Sequence, residues 1–336
     1  FNNADDVAPT TGAKNGLKLE DMVGVDYNDA QWDTFVDQLT VSDMDKLIAL
    51  GGFQTVAVDS IGKVQAIDCD GPASINNNFT KQGSIGFPSA VMIAATWNTD
   101  LAHDFGTSIG KMADDMDVSG WYAPAMNIHR SAFAGRNFEY YSEDGVLSGA
   151  MASNAIMGAQ EQGVYAFMKH FALNDQETNR YGMLCTWSTE QAIREIYLKP
   201  FEECVKAAGC HAAMSSYNYI GNTYAGSCDA LLNKVLRGEW GFVGMVLTDY
   251  YGVCGYQDAD RLIRNGGDLC LVNYDTETNH LTDTTSPTAL VSARQACKNI
   301  LYTVANSRAY YPENLNPGMP GWEKVMIGVD VVLAAA

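Results

Sequence analysis

"GFVGMVLTDYYG", residues 241–252, places an ionisable carboxylate where an apolar strand ends. Gly244 to Leu247 reads as a short buried strand, and Thr248 and Asp249 follow it. Tyr250, Tyr251 and Gly252 come next. An Asp in a turn often does no more than cap the next helix. A carboxylate walled by aromatics at a strand end is also where catalytic groups are found. The segment alone leaves both readings open, so its surroundings decide.

Those surroundings alternate. Apolar strand candidates occur at Val56–Val58, Ala90–Ala95, Val164–Met168, His211–Ser215, Met245–Thr248 and Leu269–Val272. Amphipathic helices separate several of them. In "STEQAIREIYLKPFEECVKAAG", Ser188-x-x-Gln191 reads as the cap, Ile193, Ile196, Tyr197, Phe201, Cys204 and Val205 form the stripe, and Gly209 ends it. "CDALLNKVLRGEWG" carries Leu231, Leu232, Val235 and Leu236. Earlier, Trp32, Phe35, Val36 and Leu39 share one helical face. Ser42-x-x-Asp45 resembles a capping box, and Gly51-Gly52 stops the helix it opens.

Strand and helix in turn, every ~30–40 residues, mean parallel βα units. Their number predicts an α/β fold, a (β/α)8 TIM-like barrel of regular or irregular build. An open doubly wound sheet is the alternative, but no Gly-rich phosphate loop is present. The expected layout is an extended arm over 1–30, a catalytic barrel over 31–315 and a tail over 316–336. The tail's run from Val325 to Ala336 is apolar apart from Asp330 and shorter than the ~20 residues a membrane span needs. It reads as a docking helix or as part of a membrane anchor, which leaves a cell-surface or a cytoplasmic location open.

Composition narrows the partners. The net charge of −19 argues against nucleic acid and anionic surfaces and fits a neutral or cationic small ligand. Eight cysteines without Cys-x-x-Cys spacing read as small buried hydrophobes. Five histidines without a His-x-x-x-His pair argue against a metal site, and no cofactor is expected. The sequon Asn78-Phe79-Thr80 is too common a pattern to carry weight.

The barrel reading decides the meaning of Asp249, because barrel active sites lie at the C-terminal strand ends. Lys169 and His170 follow "YAFM", Tyr217 follows "HAAMSS" and Asp70 follows "AID". Four polar strand ends at one pole make a site. Asp70, Lys169 and His170 suit ring hydroxyls, and Tyr217 and Tyr250 suit the C–H faces of a sugar. Asp249 is then free to attack an anomeric carbon. His129 in "NIHRS" reads as structural, and Arg136, Arg180 and Met214 carry no signal when taken singly.

"DGP" (70–72), "GRNFEYYSEDG" (135–145), "KHFALNDQETNR" (169–180), "MSSYN" (214–218) and "LTDYYG" (247–252) together resemble the motif series of glycoside hydrolase family 3 in order and spacing. The resemblance spans about residues 40 to 310. It implies an exo-acting, retaining β-glucosidase-like enzyme on a (β/α)8-like barrel. By position it implies Asp249 as nucleophile and Asp70, Arg136, Lys169, His170, Arg180, Met214 and Tyr217 as glycone-binding residues, acting on a small β-glycoside.

Three departures qualify it. Tyr250 stands where the family often has Trp, and Asn76 where it often has Arg. "ALNDQE" replaces the Gly/His-rich loop whose His-Asp dyad serves lone-barrel members. In relatives with this form, the acid/base is a glutamate on a second, α/β sandwich domain. The resemblance therefore implies the barrel part of a multidomain member, of domain-permuted order, with that domain as partner. The rival enzyme class is a class I aldolase-type barrel using Lys169 for a Schiff base. The rival outside catalysis is a sugar-binding pseudoenzyme.

Overall fold

Strand order follows chain order. The computed structural model describes residues 2–315, except 78–80 and 277, together with 325 and 326. Its main sheet comprises β1 (Gln54–Thr55), β2 (Ala66–Cys69), β3 (Gly120–Trp121), β4 (Tyr165–Phe171), β5 (Ala212–Ser215) and β6 (Met245–Leu247), each beside the next. β1 and β2 are antiparallel, and every later pair is parallel. The first pair is what makes the barrel irregular.

Leu269–Val272 continues the curl. Leu269 forms a parallel bridge with Leu247, and Tyr251 N–H donates to Leu271 O at 2.8 Å. The same segment meets the start of the sheet: Cys270 N–H donates to Ile48 O (2.8 Å) and Gly51 N–H to Cys270 O (3.0 Å). Gly51 and Gly52 allow that approach. A Cβ at Gly51 would lie 2.8 Å from Cys270 O, and one at Gly52 2.2 Å from Val272 O. The glycine pair thus does more than end a helix; it lets the curl return to where it began.

Side-chain alternation sorts the core. Tyr165 and Phe167, Ala212 and Met214, and Met245 and Leu247 join one apolar cluster; Ala166, Met168, Ala213 and Val246 join another. The first cluster also takes α1 (Gln31–Val36), α2 (Val41–Ala49) and the C-terminal helix Pro287–Ala305. The expected stripe of Trp32, Phe35, Val36 and Leu39 is buried there. The second cluster takes helices Thr99–Asp115 and Gly145–Gln160. These two touch backbone to backbone, since a Cβ at Gly106 would lie 2.0 Å from Ala155 O.

Several local expectations change. Ala90–Ala94 is a helix and not a strand. Ala90, Ile93 and Ala94 are buried while Val91 and Met92 are exposed, a helical period that a short apolar run conceals. The strand expected at Val56–Val58 lies earlier, at Gln54–Thr55. The capping box before α2 is Thr40 with Asp43, and Asp45 instead accepts from Leu281 N–H (2.8 Å). The long helix expected over 188–209 is capped by Thr189 and divided, with a fresh helix over Lys199–Lys206. Pro200, which lacks an N–H, sits in that helix's first turn, and Ile196 is exposed rather than part of the stripe. The N-terminal segment meets helix Pro287–Ala305 at two points, where Asn3 N–H donates to Thr288 Oγ1 (2.8 Å) and the Tyr27 hydroxyl to Asn299 Oδ1 (2.5 Å); between them Gly12 and Ala13 N–H donate to Leu39 O and Asp37 O, both at 2.9 Å.

The sequon and the apolar tail lie outside the described residues, apart from Val325 and Met326. Among the described residues, no helix is long and apolar enough to cross a membrane.

Candidate active site

The C-terminal ends of the strands converge on one cavity of about 310 Å3. All nine residues singled out in the sequence line it: Asp70, Arg136, Lys169, His170, Arg180, Met214, Tyr217, Asp249 and Tyr250. Asp70 follows β2, Met214 lies in β5, Tyr217 follows β5, and Asp249 follows β6. Lys169 and His170 are consecutive in β4, yet both face the cavity. The β4–β5 register shifts between Met168 and Phe171, an irregularity of the kind that re-aims side chains.

Asp249 is held by its backbone and left open at its tip. Its N–H donates to Ser215 O (3.0 Å), and its Oδ1 accepts from Tyr250 N–H (2.8 Å). Oδ2 is buried without a hydrogen-bond partner among the described residues, 3.8 Å from His170 Nε2 and 3.9 Å from Arg180 Nη1. Burial raises the carboxyl above its ordinary value, opposed by Arg136, Arg180, the Tyr250 N–H and Lys169. Such an oxygen is an available nucleophile or a strong hydrogen-bond acceptor.

Four cationic or neutral donors surround it. Lys169 Nζ pairs with Asp70 Oδ1 at 3.1 Å. Desolvation raises the Asp70 carboxyl, but Lys169, the Gly71 N–H and Arg136 outweigh it and hold it below its usual value. Burial, with Arg136, Lys169 and Arg180 nearby, pushes His170 well below its ordinary value, so the imidazole is neutral. Arg136 pairs with Glu139, and Arg180 with Glu177 at 3.0 Å. The Arg180 guanidinium also lies over the rings of Tyr217 (4.7 Å) and Tyr181 (4.8 Å). Tyr217 donates its hydroxyl to Tyr250 O at 2.8 Å, and the Tyr250 hydroxyl donates to Asn273 Oδ1 at 2.7 Å.

Phe53, Tyr122, Tyr181, Val253 and Leu271 also line the cavity and were not anticipated. Tyr181 adjoins Arg180, which was a usable signal; Tyr122 follows a two-residue strand with no periodicity to find. The Arg136–Glu139 and Glu177–Arg180 pairs share a spacing of three, also readable in advance. Asn76 does not line the cavity; it sits in a ribbon, exchanging backbone hydrogen bonds with Asp70 at 2.8 Å. His129 contacts Tyr140 O at 3.0 Å, away from the cavity lining.

Residues 67–269 match the family described as the glycosyl hydrolase family 3 N terminal domain. The chain belongs to glycosyl hydrolase family 3. Among curated relatives, a β-glucosidase of Rhizobium radiobacter is 42% identical over 224 residues, 66% of this chain and 27% of that protein. β-Glucosidase A of Butyrivibrio fibrisolvens is 41% identical over 194 residues, 57% of this chain and 23% of that protein. Among solved structures, β-glucosidase 3B of Thermotoga neapolitana, in complex with α-D-glucose, superposes with a TM-score of 0.75 at 33% identity. That match covers 88% of this chain and 45% of the other. A β-glucosidase of Paenibacillus barengoltzii gives 0.79 at 30% identity, over 92% and 36%. This family 3 chain therefore spans about a quarter of the length of the curated relatives and less than half of the solved ones. Its irregular α/β barrel is the one those family 3 structures share.

Proposed function

We propose that this chain is the barrel part of an exo-acting retaining β-glycosidase, β-glucosidase-like in its substrates. The observation that carries the proposal is Asp249 Oδ2, buried, unpartnered among the described residues and ringed by Arg136, Arg180, Lys169 and a neutral His170. In the first step an Asp249 oxygen attacks the anomeric carbon. The bond to the leaving oxygen breaks with its electron pair, and a general acid protonates that oxygen. In the second step water, deprotonated by the same acid/base, displaces Asp249 and releases the sugar with retained configuration. Asp70, Lys169, His170, Arg136 and Arg180 would hold glycone hydroxyls, and Met214, Tyr217 and Tyr250 its apolar faces.

The acid/base is proposed to come from a second domain, on the same precursor or a separate chain. Among the described residues the cavity carboxylates are Asp70 and Asp249, and Asp70 is held ionised by Lys169. Glu139 and Glu177 are bound to arginines, and Glu143 is exposed; none lines the cavity. Exposed Phe133, Phe138 and Trp187, on the loops that carry Arg136 and Arg180, offer apolar contact to such a domain. The Schiff-base alternative needs Lys169 Nζ free to attack a carbonyl, and that nitrogen is engaged with Asp70 Oδ1 at 3.1 Å.

A dinitrophenyl 2-deoxy-2-fluoro-β-glucoside tests the assignment, since its leaving group departs without a proton. The expected result is a fluoroglucosyl adduct on the peptide containing Asp249. An adduct on another residue, or none, would overturn it.

A further inference from the structure

His170 is 1% exposed and neutral, so its ring carries one proton on one of two nitrogens. The choice decides whether the cavity meets a donor or an acceptor. Nε2 faces the Asp249 carboxylate at 3.8 Å; Nδ1 faces the Tyr140 hydroxyl at 3.3 Å.

The hydroxyl is oriented in turn. Asn174 Nδ2 lies 3.4 Å from Glu177 Oε1 and 3.2 Å from Tyr140 Oη. Glu177 pairs through Oε2 with Arg180 Nε at 3.0 Å, which leaves Oε1 to accept and turns the NH2 end of the Asn174 amide toward both atoms. Tyr140 Oη thus receives an N–H from Asn174 and has one proton to give. The acceptors in reach are His170 Nδ1 at 3.3 Å and Asn174 O at 3.4 Å. Across the ring, a lone pair on Nε2 would oppose the Asp249 carboxylate, whereas an N–H there is attracted to it.

We infer that Tyr140, oriented by Asn174, holds His170 as the tautomer protonated on Nε2, presenting an N–H donor to the cavity. Tyr140 and Asn174 are positioning residues, acting through His170. In the ligand-bound site, His170 donates to an oxygen of the sugar and cannot accept from its hydroxyl on that side. The inference rests on the sugar-binding reading of His170 only for this last consequence; the tautomer is a property of the chain itself.

The test is 15N NMR of the full chain labelled in its histidines, with His170→Ala to assign the resonances. The expected pattern is a pyrrole-type Nε2 and an imine-type Nδ1 at His170. Tyr140→Phe, checked for folding by circular dichroism, should mix the two tautomers and lower kcat/KM on an aryl glucoside about threefold to tenfold. A proton on Nδ1 in the wild type would overturn the inference, as would an unchanged pattern in folded Tyr140→Phe. If Tyr140→Phe does not fold, Asn174→Ala takes its place: a shift of the same two resonances supports the relay, and no shift overturns it. The expected tautomer together with no glycoside turnover in any form would sustain the relay and remove the glycosidase reading.

Discussion

Arg180 Nη1 lies 3.9 Å from Asp249 Oδ2, and both atoms are buried without a hydrogen-bond partner among the described residues. Two opposite charges at that separation attract but do not bond. Each keeps its capacity for a third group placed between them. Unmet polar atoms in a cavity are costly in the free protein, and a ligand that satisfies both regains that cost on binding.

Asp249→Asn should abolish most turnover. The amide cannot form the covalent intermediate, so kcat on nitrophenyl β-glucoside should fall by about three orders of magnitude or more. Turnover near that of the wild type would remove Asp249 from the nucleophile's role.

The acid side of the pH profile should report Asp249. Burial raises its carboxyl, and attack requires the ionised form, so kcat/KM falls as pH drops through that value. Arg136 is the largest opposing influence. Arg136→Gln should therefore move the acid limb to higher pH, by roughly 0.5–2 units. Profiles measured on an activated aryl glucoside, where no acid is needed, isolate this group; an unmoved limb contradicts the assignment.

Lys169 and Asp70 should act together on the glycone. Lys169→Ala or Asp70→Ala should each cost about 2–4 kcal/mol in kcat/KM, because hydrogen bonds to the sugar strengthen in the transition state. The double variant should cost less than the sum, since Lys169 Nζ and Asp70 Oδ1 are 3.1 Å apart and share one interaction. Losses within threefold of wild type would dissolve the subsite.

Dependence on the leaving group should be steep for this chain alone. With no free acid among the described residues of the cavity lining, cellobiose-like substrates should turn over very slowly and activated aryl glucosides measurably faster. Supplying the proposed second domain should restore the slow substrates and add a basic limb to the pH profile. Full kcat on an unactivated disaccharide by the 336-residue chain would place the acid within it.

A second buried charge set lies away from this chemistry. Burial pushes the Asp68 carboxyl up to about 7 and the Lys63 ammonium down to about 7. The folded state thus holds the Asp68 proton at pH values where the unfolded chain has released it. Stability from this group falls as pH rises from about 4 to about 7. Asp68→Asn keeps an oxygen for the Tyr165 hydroxyl, now at 2.6 Å, and removes the charge. Its thermal stability at pH 8, where Lys63 is largely neutral, should exceed that of wild type by about 1–3 kcal/mol, and the gain should shrink toward pH 4. A variant less stable than wild type at pH 8 would contradict this.

What the sequence determined by itself is local or repeated. Apolar runs ending in Lys169, His170, Tyr217 and Asp249 are written in adjacent residues, and their recurrence along the chain points to one pole of a barrel. The helical stripe from Trp32 to Leu39 is legible for the same reason: a period of 3.6 needs no distant partner. Where two periods fit equally, the local signal failed, and Ala90–Ala94 became a helix because its buried positions face the neighbouring helices. Only the tertiary structure decided the rest. Gly51 and Gly52 are where the curl meets residues 270 and 272, more than two hundred positions away, and no local pattern encodes that approach. Glu177, Asn174, Tyr140 and His170 form one chain of contacts because the loops after β3 and β4 pack side by side. Residue types and spacing specify which groups are available; strand register and closure set the separations of 3–4 Å at which those groups act.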